Sequence, residues 1–405
     1  MSKQPKNGDS ELRIALFLGD FRRDHDGFGR TLHRITDHLE AAGVPFMVAS
    51  PTCDPPWSYQ HGTYYPSPSM QVPFDKSYRL TLPFKKRLFA ELDRFQPTLV
   101  HMATPCFSGY LARSYALSRG LPLVATYHTH FIRYLAYHGL SFTTGLVKWL
   151  MRYLYNPCQT IFVPTPTVLA EVRACGVSAP MQLWGRGVKT DFFHPRLRSN
   201  AWREKFAAKG PIALYAGRLV KEKAPEMLAK IYALVRKSNP EITWVVAGTG
   251  SCEALYRRLM PEAHFLGHLD LPDLATAYAS SDIFVYPSNT DTFANVALEA
   301  MSSGLPLVVA DAGGPGDFVK QAYGSPLTVC PSDAPQVFAE KIVWLASHPE
   351  ERERLGLLSR RYAEQQRWEE LLPQLLNHFA EISSRALLSA HPELVEGCGH
   401  VRSSL

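Results

Sequence analysis

The stretch Ser288-Asn289-Thr290-Asp291-Thr292-Phe293-Ala294-Asn295-Val296-Ala297-Leu298-Glu299 sets two carboxylates eight positions apart across the junction of a strand and a helix. The residues before it, Asp282-Ile283-Phe284-Val285-Tyr286-Pro287, read as a short apolar strand closed by proline, and those after Thr292 have the apolar spacing of a buried helix. Asp291 then falls in the loop and Glu299 on the helix. Backbone N–H groups of residues 292–295, in the first turn, would point at an anion in the adjoining cleft; Phe293, Ala294 and Asn295, with Val296 next to them, are the candidate ligand-binding residues. An isolated pair of acids is more often a pair of solvated surface groups. Glu299, however, lies between Leu298 and Ala300-Met301 on a helix apolar nearly all round, where a carboxylate needs hydroxyl groups or a basic side chain as partner.

Basic residues stand where such a site would need them. Gly217-Arg218-Leu219-Val220-Lys221-Glu222-Lys223 follows the strand Ile212 to Ala216, and Arg218 and Lys223, five apart, suit two cations converging on one diphosphate. The plain alternative is a charged loop. Tyr127-His128-Thr129-His130 ends another strand, and a histidine there is by itself more often an ordinary hydrogen-bonding residue. Gly27-Phe28-Gly29, Gly248-Thr249-Gly250 and Gly313-Gly314-Pro315-Gly316-Asp317 each follow a strand as well, and each alone is a weak signal.

Taken together these residues resemble the signature of the retaining GT-B glycosyltransferases of family four, in which two acids separated by seven residues bracket a nucleotide sugar. The Asp-Thr-Phe form is similar to the branch of sulfoquinovosyl-diacylglycerol synthase-like and GDP-mannose-dependent mannosyltransferase-like enzymes. The resemblance implies that Asp291 faces the donor sugar and Glu299 holds the ribose hydroxyls. It also implies that Arg218 and Lys223 clamp the diphosphate and that His128 approaches the sugar's hydroxyls. Gly27 and Gly29 would let backbone approach the phosphate, and Gly248 would border the base. Ala294 departs from the pattern, standing where glycine is usual, and its methyl group would narrow the sugar's approach. Asp317 is a secondary candidate. No metal site is implied, and no cofactor beyond the donor, a UDP- or GDP-linked sugar.

The elements that must position these residues repeat one grammar twice. Strands are expected at Ile14 to Leu18, Pro45 to Ala49, Thr98 to Met102, Leu123 to Tyr127 and Thr160 to Val163, with Gly27 and Gly29 in the loop before the first helix. The second half restarts at Ile212 to Ala216, followed by strands at Trp244 to Ala247, Ile283 to Tyr286 and Leu307 to Val309, with helices at Glu226 to Lys237 and Leu274 to Ala279. The fold class is therefore α/β: two doubly wound Rossmann-like domains facing a central cleft, the GT-B plan. Residues 12–190 form the first domain and 196–370 the second, joined through Val188 to Ser199; a helix at about 371–388 returns to the first domain and 389–405 read as an unstructured tail.

Composition is that of an ordinary soluble globular protein. Seven cysteines, at 53, 106, 158, 175, 252, 330 and 398, show no metal-type pairing and read as buried thiols in a reducing compartment. Residues 1–195 hold 21 Lys and Arg against 13 Asp and Glu, and the rest hold 22 against 24, so the positive charge belongs to the first half. No acid falls between Asp93 and Glu171, a stretch in which Trp149, Leu150, Tyr153 and Leu154 accompany Lys148 and Arg152. That pattern suits an interfacial helix on an anionic membrane surface, or else a helix buried beside the pocket. The expected activity is transfer of a hexosyl unit from a nucleoside diphosphate sugar to a lipid or glycan hydroxyl, with no nucleic-acid partner, in the cytoplasm or at the inner membrane face. The alternatives are a GT-B epimerase or phosphorylase, or a catalytically silent sugar-nucleotide-binding protein.

Overall fold

A computed structural model describes residues 12–23, 27–72, 75–128 and 144–390. In the first half the strands are β1 (Ile14–Phe17), β2 (Phe46–Ser50), β3 (Gly62–Pro66), β4 (Ser69–Val72), β5 (Asp75–Thr81), β6 (Leu99–Met102), β7 (Leu123–Thr126), β8 (Thr160–Val163) and β9 (Met181–Leu183). Seven of them form a parallel sheet in the order β3-β2-β1-β6-β7-β8-β9, while β4 and β5 pair antiparallel with each other. The helices of this half are α1 (Gly27–Ala41), α2 (Lys85–Phe95), α3 (Phe107–Arg119), α4 (Thr144–Tyr155) and α5 (Pro166–Ala174).

The second sheet runs β12 (His264–Gly267), β11 (Thr243–Ala247), β10 (Ile212–Ala216), β13 (Ile283–Tyr286), β14 (Leu307–Ala310), β15 (Val329–Cys330), again parallel. Its helices are α6 (Asn200–Glu204), α7 (Pro225–Ser238), α8 (Glu253–Leu259), α9 (Leu271–Ser280), α10 (Asn295–Ser302), α11 (Gly314–Tyr323), α12 (Pro335–Ser347) and α13 (Pro349–Glu364). Both sheets carry helices on each face, so the central strands are buried throughout and read as unbroken apolar runs rather than alternating ones. In each sheet the strand order reverses beside the first strand, between β1 and β6 and between β10 and β13. The carboxyl ends at such a reversal open a crevice for ligands.

The last helix, α14 (Trp368–Ala390), packs back on the first sheet's core through Leu372, Leu375 and Phe379. The indole N–H of Trp184 donates to the carbonyl of Leu371 at 3.0 Å. The two chain crossings lie side by side: Val188 bridges to Arg367, and a Cβ on Gly187 would meet the backbone nitrogen of Trp368 at 2.5 Å, which only glycine avoids.

The doubly wound α/β plan expected from the sequence is present, with every named strand found to within about a residue of its expected ends. Some details differ. Gly27 and Gly29 lie in the first turn of α1 and not in a loop before it. Helix α10 begins at Asn295, so residues 292–294 precede its first turn. The expected returning helix runs to Ala390, into the segment read as tail; residues 391–405 lie outside the described ones. Cys158, Cys175 and Cys330 are buried as expected, but Cys53, Cys106 and Cys252 are partly exposed, and Cys398 lies outside the described residues. Among the described residues no helix is long and apolar enough to cross a membrane.

Candidate active site

Two loops at the reversal point of the second sheet meet at Asp291. The first, after β10, delivers Lys223, whose Nζ lies 2.5 Å from Asp291 Oδ1. The second, after β13, holds Asp291 and Ser288; the hydroxyls of Ser288 and of Tyr286, the last residue of β13, donate to Asp291 Oδ2 at 2.7 and 2.9 Å. Burial alone would push this carboxyl up; the Lys223 charge and the three hydrogen bonds outweigh it and hold the group below the ordinary aspartate range. The loop is pinned from behind by Gly313, at φ +72°, where a Cβ would lie 2.2 Å from the Asp291 carbonyl oxygen. The glycine run before Asp317 is thus required by close backbone approach.

Ala294 caps α10 at φ 61°, ψ 82°, a left-handed conformation that glycine adopts without strain. The departure from glycine is therefore first a backbone matter. One turn into α10, Glu299 is 8% exposed and accepts the Tyr278 hydroxyl at 3.2 Å. Burial raises its pKa above the ordinary 4.5, with Arg30 and Tyr278 opposing the shift. Only one of its carboxylate oxygens has a partner among the hydrogen bonds between described residues.

The first sheet reaches this site through His128 and Arg186. Arg186 Nη2 lies 3.2 Å from His128 Nδ1, and Nη1 lies 3.5 Å from Asn295 Oδ1. Because a guanidinium can only donate, Nδ1 accepts and the proton sits on Nε2, which faces Thr126 Oγ1 at 2.7 Å. Burial first, then the charge of Arg186, holds His128 well below the usual histidine range, so the ring is neutral at physiological pH. Its carbonyl accepts the Thr292 hydroxyl at 2.8 Å, and Gly27 lies against the Asn295 side chain, tying both halves together at the mouth of α10. The ring expected to reach the donor sugar thus has both nitrogens engaged within the protein. Arg186, only 7% exposed, lies between Gly185 and Gly187 just before the linker and was not among the residues expected from the sequence to act in the site. A lone arginine between two glycines was the signal available.

Residues 25–192 match the model described as Glycosyltransferase Family 4, and residues 198–361 match Glycosyl transferases group 1. The chain is 29% identical over 392 residues to a GDP-mannose-dependent alpha-mannosyltransferase of Mycolicibacterium smegmatis, covering 94% of this chain and 100% of that protein. It is 30% identical over 326 residues to a sulfoquinovosyl transferase of Arabidopsis thaliana, covering 78% of this chain and 63% of that one. Its fold matches sucrose-phosphate synthase from Thermosynechococcus elongatus with a TM-score of 0.71 at 20% identity, over 94% of this chain and 100% of that one. The chain is a family-four glycosyltransferase of the GT-B fold. The hexosyltransferase class expected from the sequence is borne out with it.

Other candidate residues of the glycosyltransferase are placed differently from one another. Arg218 does not join Lys223: it is half-exposed and faces Glu222 at 3.6 Å, because Lys223 is drawn inward by Asp291. Gly248, at φ +130°, serves close packing, since a Cβ there would lie 2.0 Å from the Gly217 carbonyl oxygen. Val296 flanks the start of α10, half-buried against the core. Asp317 accepts both the backbone N–H and the hydroxyl of Thr167, at 2.9 and 2.8 Å, so it clamps α11 to α5. His130 and the start of the expected interfacial segment lie outside the described residues. Of its described part, Leu154 is fully buried and does not share an outer face with Trp149; Tyr153 is held by Arg113, and Leu146 and Trp149 remain exposed at 65% and 51%. Among the described residues no group of three or more His, Cys, Asp or Glu could hold a metal ion.

Proposed function

We propose that this glycosyltransferase moves a hexosyl unit, with retention of configuration, from a nucleoside diphosphate sugar to a hydroxyl of a lipid or glycan. The observation that carries the reading is the convergence of Lys223, Asp291, the α10 N-terminus and Glu299 at one sheet's reversal point. Glu299 would accept the ribose hydroxyls with its second oxygen. The N–H groups at the start of α10, with Lys223 and an inward-turned Arg218, would offset the diphosphate's charge as it leaves, and Asp291 would face the sugar. His128 would reach the sugar only by releasing Arg186. Transfer would run on one face: the bond from the anomeric carbon to the phosphate oxygen breaks, the acceptor oxygen takes its place, and the departing phosphate oxygen takes the acceptor's proton. The assigned groups suffice for charge compensation, so this reading calls for no metal.

GDP-mannose is the donor to test first. Three relatives, at 29%, 28% and 27% identity and aligned over 94%, 92% and 94% of this chain, are named GDP-mannose-dependent alpha-mannosyltransferases. A lipid acceptor is supported by the basic first half and by exposed Leu146 and Trp149 beside Lys148 and Arg152, which suits peripheral binding at the cytoplasmic face of a membrane. Incubating the protein with GDP- and UDP-sugars, with and without diacylglycerol or polyprenyl phosphate in anionic vesicles, would show nucleotide release and, by NMR, the anomeric configuration of the product. An inverted product would end the retaining assignment. Failure to bind anionic vesicles at low salt would end the membrane assignment.

A further inference from the structure

Behind the ring of His128 a row of polar side chains runs back into the first sheet. Side chains along a strand alternate between faces, so Thr126, the last residue of β7, and His128, two positions on, share one side of the sheet. On the neighbouring strand β6, His101 stands in register with Val124 and takes that side too; its Nε2 lies 2.9 Å from the Thr126 hydroxyl. Thr126 and His101 are both buried. The layer around them is apolar: Val124, Phe162 and Phe379 belong to one core, and the Phe379 ring centre lies 5.4 Å from that of His101. A hydroxyl and an imidazole there cost desolvation that valine and leucine would avoid. His101 recovers only part of it, because its Nδ1 has no hydrogen-bond partner among the described residues. A buried polar group kept at such a cost calls for a reason beyond packing.

The protons along this row have one direction. Arg186 can only donate to His128 Nδ1, so the His128 proton is on Nε2 and points at Thr126 Oγ1, 2.7 Å away. That oxygen keeps one proton of its own, and its other hydrogen-bond partner among the described residues is His101 Nε2. Donation to His101 leaves a single orphan, the Nδ1 proton of His101; the reverse direction would strand the hydroxyl proton as well as a lone pair. Burial pushes the His101 pKa down to about 3, so that ring is neutral and able to accept. We propose that Thr126 and His101 are positioning residues of the transferase: the hydroxyl proton, committed to His101, leaves Thr126 able only to accept from His128, which fixes that ring's proton on Nε2 and its Nδ1 lone pair towards the cleft. Nδ1 then stays an acceptor whether it faces Arg186 or, on release of that residue, a hydroxyl of the donor sugar. The exchange of one donor for the other needs no proton to move. The sugar contact rests on the function proposed above; the ordered row does not.

The test is long-range proton–nitrogen correlation NMR of the whole histidine-labelled protein, the two rings being assigned by the signals lost in His128→Asn and His101→Phe. The parent should show His128 with its proton on Nε2 and His101 with its proton on Nδ1. Thr126→Val should spread the His128 proton over both ring nitrogens and lower kcat roughly tenfold, with GDP, or UDP if that binds instead, held as tightly as by the parent. Thr126→Ser should restore both the tautomer and most of kcat. A parent His101 protonated on Nε2, or a His128 tautomer untouched by Thr126→Val, would overturn the proposal. So would equal losses of kcat in Thr126→Val and Thr126→Ser, which would reduce Thr126 to packing. Should Thr126→Val not fold, the tautomers of the parent decide by themselves. If no sugar nucleotide is turned over, the donor reading fails separately, and the same spectra still judge the row.

Discussion

The ammonium of Lys223 lies 2.5 Å from a carboxylate oxygen of Asp291, a residue 68 positions further along the chain. Both are nearly buried, so removing one partner strands the other's charge. Lys223→Ala should destabilise the protein by about 3–5 kcal/mol, and Lys223→Met combined with Asp291→Asn by much less. Urea unfolding measures both. Asp291's pKa lies below its unfolded value of 3.8, so its stabilising contribution is present above that value and lost as pH falls through the lower folded one.

Glu299→Ala should abolish nucleotide affinity, whereas Asp291→Asn should spare binding and lower turnover. Only the ionised carboxylate accepts two ribose hydroxyls. Since burial raises the Glu299 pKa, affinity should begin to fall on acidification at a pH above the ordinary glutamate value of 4.5, and Glu299→Gln should flatten that profile. His128, held well below 6.5 by burial and by Arg186, would titrate on the same acidic side, and a fall in affinity that persists in Glu299→Gln would implicate it instead. Calorimetry across pH separates the two.

Arg186 ties His128 to Asn295 from a nearly buried position. Losing charge-assisted hydrogen bonds there should cost on the order of 2 kcal/mol, so Arg186→Ala should lower kcat/KM roughly thirtyfold. Arg186→Lys should recover little, because one ammonium cannot span both partners. Steady-state kinetics on both variants checks this; equal activity in Arg186→Ala and the parent would remove the residue from the machinery.

Ala294→Gly should keep or raise activity. The left-handed backbone costs alanine about 1 kcal/mol or more, and glycine's extra freedom in the unfolded chain returns roughly 0.4–1 kcal/mol of that. A net gain of about 0.5 kcal/mol is therefore expected by urea unfolding, while Ala294→Val should destabilise by more than about 1 kcal/mol.

The sheets were legible because their central strands, such as Ile283–Tyr286, are buried on both faces and appear as apolar runs. Edge strands escaped notice: Gly62–Pro66 and His264–Gly267 are short, partly exposed and each carry a glycine at one end, so nothing marks their period. Glu299 announced itself as a charge within an apolar helix. The pairing of Asp291 with Lys223 could not, since the two are 68 residues apart and no local spacing encodes that meeting. Arg218 and Lys223, close in sequence, read as sharing one ligand, and Asp291 was legible as a candidate, but its pairing with Lys223 while Arg218 faces Glu222 was not.

The return of α14 makes the second domain an insertion within the first. Leu372, Leu375 and Phe379 belong to the core under β1, β2 and β6, yet they are among the last described residues to leave the ribosome. The first sheet must wait, its apolar flank open, while the entire second domain is synthesised and folds. That exposed interval makes truncation before Trp368 a hazard for solubility more than for donor binding.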